Sequence, residues 1–151
     1  MKEADVIKIF NSYKNQLIKK IGTKVTDNKQ LEKYGYALLG QKFKGVYAQD
    51  QLPVSKPGMY VMNNETSKMG GEHWLFVFVT SKTIYVHDSF ARPSKKFLPI
   101  LTKNAKAVGK MIIDFDRKDT EQKITTAVCG PISLAVALTV KKVGIKNALK
   151  L

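Results

Sequence analysis

Cys129 is the only cysteine of the 151-residue chain, and Gly130 and Pro131 follow it at the mouth of an apolar run from Ile132 to about Val143. A lone cysteine ordinarily behaves as a small buried hydrophobe. At the start of a helix it has a second use. Unpaired N–H groups and the helix macrodipole stabilise a thiolate there and offer donors to an oxyanion. Proline fits the first helical turn, where its missing N–H costs nothing. Gly130 leaves room for a substrate backbone to come close. A nucleophilic thiol needs a base, and the base needs a group that orients it. The chain has two histidines, His73 and His87.

The elements around the histidines choose between them. Trp74 to Val79 reads as a buried strand, Thr80-Ser81-Lys82-Thr83 as a turn, and Ile84 to Asp88 as the return strand of a hairpin. A two-residue turn places His73 opposite Asp88, and a four-residue turn places Asp88 diagonal to it. In either register the two side chains share a face, while His87 points to the other. His73 is therefore the imidazole that a carboxylate can orient, although a strand-end histidine packed beside Trp74 is the plainer reading of that position. Gln122 lies seven residues before Cys129 in a polar loop. Its amide can donate to an oxyanion, although a solvated loop glutamine is again the plainer reading.

The rest of the chain supplies the scaffold. Lys2 to Ile21 carries Val6, Ile9, Phe10, Tyr13, Leu17 and Ile21 at helical spacing, with Gly22 as a stop. Asp27 and Gln30 form a capping box for a second helix that carries Leu31, Tyr34, Leu38 and Leu39 and ends near Gly40. Lys42 to Gly58, with two prolines, reads as a loop, Met59 to Met62 as a strand and Asn63 to Gly71 as a loop. Pro93-Ser94 opens a helix to about Ala107, Met111 to Phe115 reads as a strand, and Asp116 to Thr126 as a loop. The order αα–βββ–αβ–α predicts one α+β domain over residues 1–151, with no internal repeat.

Composition narrows the function classes. Hydrophobic residues are 44% and charged residues 25%, as in a globular chain that buries its own core. One cysteine excludes an internal disulfide and a multi-cysteine zinc site, and two histidines leave little for a metal cluster. No metal and no required cofactor is expected. There is no run of 18 apolar residues, so no transmembrane helix and no membrane partner is expected. The N-terminus lacks the apolar block of a secretory signal, which favours a reducing intracellular setting. The 26 basic residues against 12 acidic ones give +14, nearly all lysine, with only Arg92 and Arg117 as arginines. Such a surface should attract polyanions, nucleic acid first and an acidic protein or anionic membrane second; lysine acts on phosphate as a point charge, so any nucleic-acid binding would be backbone-directed and salt-sensitive. Lys103, Lys106 and Lys110 recur at helical spacing, and Lys142, Lys146 and Lys150 fall on one helical face. These are either solvated faces or a surface that slides on nucleic acid without sequence choice.

Together, His73-Trp74, Asp88, Gln122 and Cys129-Gly130 resemble the ordered catalytic residues of the adenain family, the adenovirus maturation proteases. More broadly they resemble the cysteine-protease clan that includes the SUMO-processing enzymes. Gly70-Gly71-Glu72-His73-Trp74 is similar to the family's Gly-Gly-x-His-Trp block. Tyr85-Val86-His87-Asp88-Ser89-Phe90 is similar to its acid block, with Asp in place of Glu. Gln122 followed by Ala127-Val128-Cys129-Gly130 is similar to its Gln-to-Cys-Gly block. The matched region runs from about Phe43 to Leu138.

The resemblance implies a papain-like fold of a mixed or antiparallel sheet packed by helices, with the nucleophile at the start of a buried helix. It implies Cys129 as nucleophile, His73 as general base and then acid, Asp88 as its orienter, and Gln122 with the Cys129 N–H at the oxyanion. Trp74, Gly71 and Gly130 would line the substrate groove. The implied reaction is cleavage of viral capsid or core precursors next to glycine by a monomer, with DNA as a stimulatory polyanion, in the virion or a viral factory. The excess of lysine over arginine, with many Asn, Ile and Tyr, suggests an AT-rich coding genome, which would suit a small double-stranded DNA virus or virophage. Adenain itself is activated by a disulfide-linked peptide. Here such a link would consume Cys129, so that mode does not transfer. Two other readings stay open: an isopeptidase for SUMO-like or ubiquitin-like modifiers, and a basic nucleic-acid-binding domain without catalysis.

Overall fold

The structure, a computed structural model, describes residues 1–22, 27–66, 73–116 and 128–151. The first helix, α1 (Glu3–Ile21), buries Val6, Phe10 and Leu17 and carries acids in its first turn and lysines in its last, as the macrodipole favours. Gly22, at φ +98°, ends it. The second helix, α2 (Asn28–Leu39), starts at the expected capping box. Gln30 N–H donates to Asp27 Oδ1 at 2.8 Å, and Asp27 N–H donates to Gln30 Oε1 at 3.1 Å.

A single 3-10 turn then leads into β1 (Phe43–Ala48), where the sequence predicts a loop. The reason is local. Gly45 sits at φ +127° and the register shifts between Phe43 and Gly45, so the strand's alternation is broken. Next come β2 (Gly58–Asn63), β3 (Trp74–Val79), β4 (Thr83–His87) and β5 (Met111–Asp114). They form one mixed sheet in chain order: β1 and β5 run parallel to their neighbours, and the three inner strands are antiparallel.

The sheet is covered on both sides. Met59, Val61 and Phe76 pack with α1, α2 and the helix that begins at Cys129, while Tyr60, Met62, Leu75, Val77 and Val79 pack against Leu98, Leu101 and Ala105. Burial on both faces is why β2 and β3 read as continuous apolar runs. The architecture is α+β.

The predicted helix over 93–107 is two helices, α3 (Ser94–Phe97) and α4 (Pro99–Ala107). Leu98 between them leaves the helical region, at φ −127° and ψ 64°, because a residue before proline is disfavoured there. The next helix, α5 (Cys129–Val143), begins at the cysteine itself, and Gly130 to Ala137 are buried without interruption. Gly144, at φ +83°, ends it before α6 (Ile145–Ala148). The expected single helical face for Lys142, Lys146 and Lys150 is therefore divided by that glycine. Among the described residues no helix is long and apolar enough to cross a membrane.

Candidate active site

Three elements converge on Cys129. It occupies the first turn of α5, where the N–H groups have no partner inside the helix. The backbone N–H groups of Trp74, at the start of β3, and of Gly130 donate to its sulfur, and the His73 side chain hydrogen-bonds it. Burial pushes the thiol's pKa up, but the His73 hydrogen bond, the two N–H donors and the imidazole charge outweigh it. The net direction is down.

His73 is buried and immediately precedes β3. Its Nε2 stands 2.8 Å from Asp88 Oδ1, which leaves Nδ1 as the ring nitrogen for Cys129. Burial alone would lower its pKa. The hydrogen bonds to Asp88 and Cys129, with the charges of those two groups, reverse this and raise it. A lowered thiol beside a raised imidazole is the electrostatic condition for a thiolate–imidazolium pair.

The hairpin supplies the carboxylate. β3 and β4 pair Val79 with Ile84 and Phe76 with His87, which is the four-residue-turn register. Asp88 is thus diagonal to His73. His87 faces away and lies against Phe10 and Phe115. Asp88 also accepts from Phe90 N–H at 2.8 Å through Oδ1 and from Arg92 Nε at 2.9 Å through Oδ2. Burial raises its pKa, but the His73 hydrogen bond and charge, the Phe90 N–H and the Arg92 charge together bring it below the usual carboxylate value.

Phe90 closes the acid block and Arg92 is one of two arginines, but the sequence assigns neither a role in the site. The Phe90 ring stacks on His73 with centroids 4.6 Å apart. The Arg92 guanidinium lies 5.3 Å from the ring centroids of both Phe90 and Phe97. The available sequence signal was an arginine four residues beyond the acid, in a chain that otherwise uses lysine almost throughout.

The other expected positions divide. Trp74 is half-buried and packs against the larger core, and Gly130 is buried. Gly71 and Gln122 lie outside the described residues, so their expected roles rest on the sequence. Lys103, Lys106, Lys142 and Lys146 are exposed. Lys110 lies beyond the end of α4 and donates to the Val54 carbonyl at 2.8 Å, and Lys150 donates to the Met1 carbonyl. The expected helical stripe of Lys103, Lys106 and Lys110 is corrected accordingly, because Gly109 at φ +72° breaks away from the helix before Lys110. Lys95, Lys106 and Lys110 line a cavity of about 460 Å³ beside β5. Among the described residues no group of three or more His, Cys, Asp and Glu is placed to hold a metal ion.

A comparison with models of known families gives no match, and neither does a comparison with curated proteins. Among solved structures, one described as AvrA delL154 with IP6 and CoA is similar, at 16% identity and a TM-score of 0.40, over 94% of this chain. The chain spans 62% of that neighbour's length. At that level of likeness, function is read from the site's own geometry.

Proposed function

We propose that the chain is a cysteine endopeptidase that cuts protein substrates next to glycine. The observation that carries this reading is the continuous relay from Asp88 through His73 to Cys129 at the start of α5. The Cys129 thiolate attacks the scissile carbonyl carbon, and the carbonyl π electrons move to oxygen. The Cys129 N–H and the Gln122 amide are the donors this reading assigns to that oxyanion. The protonated His73 gives its proton to the leaving amine, the C–N bond breaks, and a thioester remains. His73 then takes a proton from water, the hydroxide attacks the thioester, and the C–S bond breaks to return the thiolate. Asp88 holds the imidazole in place and stabilises its charged form.

Trp74, Gly71 and Gly130 are assigned to the groove, where a narrow passage admits residues without side chains. The likeness of the His-Trp and Cys-Gly blocks to viral maturation proteases points to capsid or core precursors as substrates, in a virion or viral factory. The +14 charge fits DNA as a non-specific accessory.

The test is a peptide series with glycine at and beside the scissile bond. Cleavage next to glycine that disappears in Cys129→Ala is expected. Cleavage that survives Cys129→Ala contradicts the reading. Labelling by a ubiquitin-like vinyl sulfone with no peptide cut moves it to isopeptidase action. Transfer of the acyl group to an amine or hydroxyl acceptor in place of water moves it to acyl transfer.

A further inference from the structure

Four side chains near the thiol close a loop of contacts. His73 hydrogen-bonds Asp88, Asp88 pairs with Arg92, Arg92 lies against the Phe90 ring, and Phe90 stacks on His73. The loop is built by the short turn after β4. Ala91 N–H donates to the Asp88 carbonyl at 2.8 Å, and Ala91 itself sits at φ +55°, a conformation that costs a non-glycine residue energy. That strained residue brings Arg92 back over the carboxylate four positions earlier. The Asp88 side chain is 6% exposed, and each of its oxygens is committed: Oδ1 to His73 and Phe90 N–H, Oδ2 to Arg92. A carboxylate without such partners has a free torsion and two equivalent oxygens. The guanidinium occupies one oxygen and leaves the other aimed at the imidazole.

We infer that Arg92 is a positioning residue of the catalytic relay, locking the Asp88 carboxylate so that Oδ1 faces His73, and that Phe90 and Phe97 hold the guanidinium for this task. This rests on the reading of Cys129, His73 and Asp88 as a catalytic relay. Lysine would not replace it fully, because an ammonium lacks the planar fork and stacks less well on aromatic rings.

Charge and position make opposite predictions here. Among the described residues the titratable groups facing His73 are Asp88, from the turn after β4, and Cys129, from α5, with Arg92 behind Asp88. Arg92 reaches the imidazole through Asp88 and Phe90, and the thiol only beyond the imidazole. As a bare charge it opposes the imidazolium, so removing it would raise the titration midpoint of the His73 ring. As a positioning group its loss lets Asp88 turn away, the imidazolium loses its partner, and that midpoint falls.

The experiment compares wild type, Arg92→Met and Arg92→Lys by two measurements: an NMR titration of the His73 ring, and steady-state cleavage of the glycine-containing peptides. Arg92→Met is expected to lower the His73 midpoint and to lower kcat by roughly a hundredfold with KM unchanged. Arg92→Lys is expected to fall between Met and wild type in both, and it carries the test by itself if the Met variant does not fold. A His73 midpoint that rises or stays in place, or an unchanged kcat, overturns the inference. The titration needs no substrate. If wild type cuts no peptide but the His73 midpoint still falls in Arg92→Met, the peptidase reading fails and the positioning role stands.

Discussion

The Asp88 carboxylate meets the His73 imidazole at 2.8 Å although the last backbone pair of their hairpin is Phe76 with His87. Both residues lie just past the paired strands. The hairpin sets their direction, and the site's own hydrogen bonds set their distance. The carboxylate and the imidazole thus stand together at the end of a rigid scaffold, where α5 brings the thiol.

Asp88→Asn removes the charge while keeping the shape of the side chain. The imidazolium loses its partner, so the raised pKa of His73 returns toward or below its ordinary value. An NMR titration of the His73 ring reads this directly. General acid–base help of this kind contributes about 10² to 10⁴-fold, so kcat for a glycine peptide is expected to drop within that range with KM little changed. A kcat equal to wild type removes Asp88 from the relay.

Asp88 also ties stability to pH. Its folded pKa is lowered by His73, the Phe90 N–H and Arg92 against the opposing effect of burial. A group of this kind contributes stability above its unfolded pKa and loses it as pH falls through the lower folded value. The urea midpoint of wild type should therefore fall through the acid range more steeply than that of Asp88→Asn. Parallel curves would contradict this.

Much of this was legible in the residues. The capping box at Asp27 and Gln30, the glycine stop at Gly22, and the hairpin that selects His73 over His87 all follow from local rules that the tertiary structure does not override. β1 escaped because the bulge at Gly45 destroys the alternation by which a strand is recognised. The break at Leu98 was readable from Pro99, whose effect falls on the residue before it. Arg92 was not readable as a site residue, because its reach to Asp88 depends on Ala91 adopting φ +55°, and an alanine carries no sign of that. Gln122 and Gly71 lie outside the described residues.

Gly35 is the position where α2 meets β1. A Cβ there would stand 2.5 Å from the Phe43 ring, and that ring is 2% exposed and has nowhere to withdraw. Gly35→Ala is expected to cost about 1–3 kcal/mol by overpacking. Chemical denaturation measures it. Activity per folded molecule should persist, since neither residue touches Cys129, His73 or Asp88. Unchanged stability would mean that the α2–β1 contact is looser than the structure has it.

In the proposed mechanism Cys129 forms a thiolate against a protonated His73. The most direct measurement is the rate of Cys129 alkylation by iodoacetamide across pH, followed by intact mass, in wild type and in His73→Ala. Wild type should show a midpoint well below the ordinary thiol value of about 8.5, and His73→Ala a return toward that value. Midpoints near about 8.5 in both proteins would contradict it, and would leave Cys129 a buried thiol without a catalytic partner.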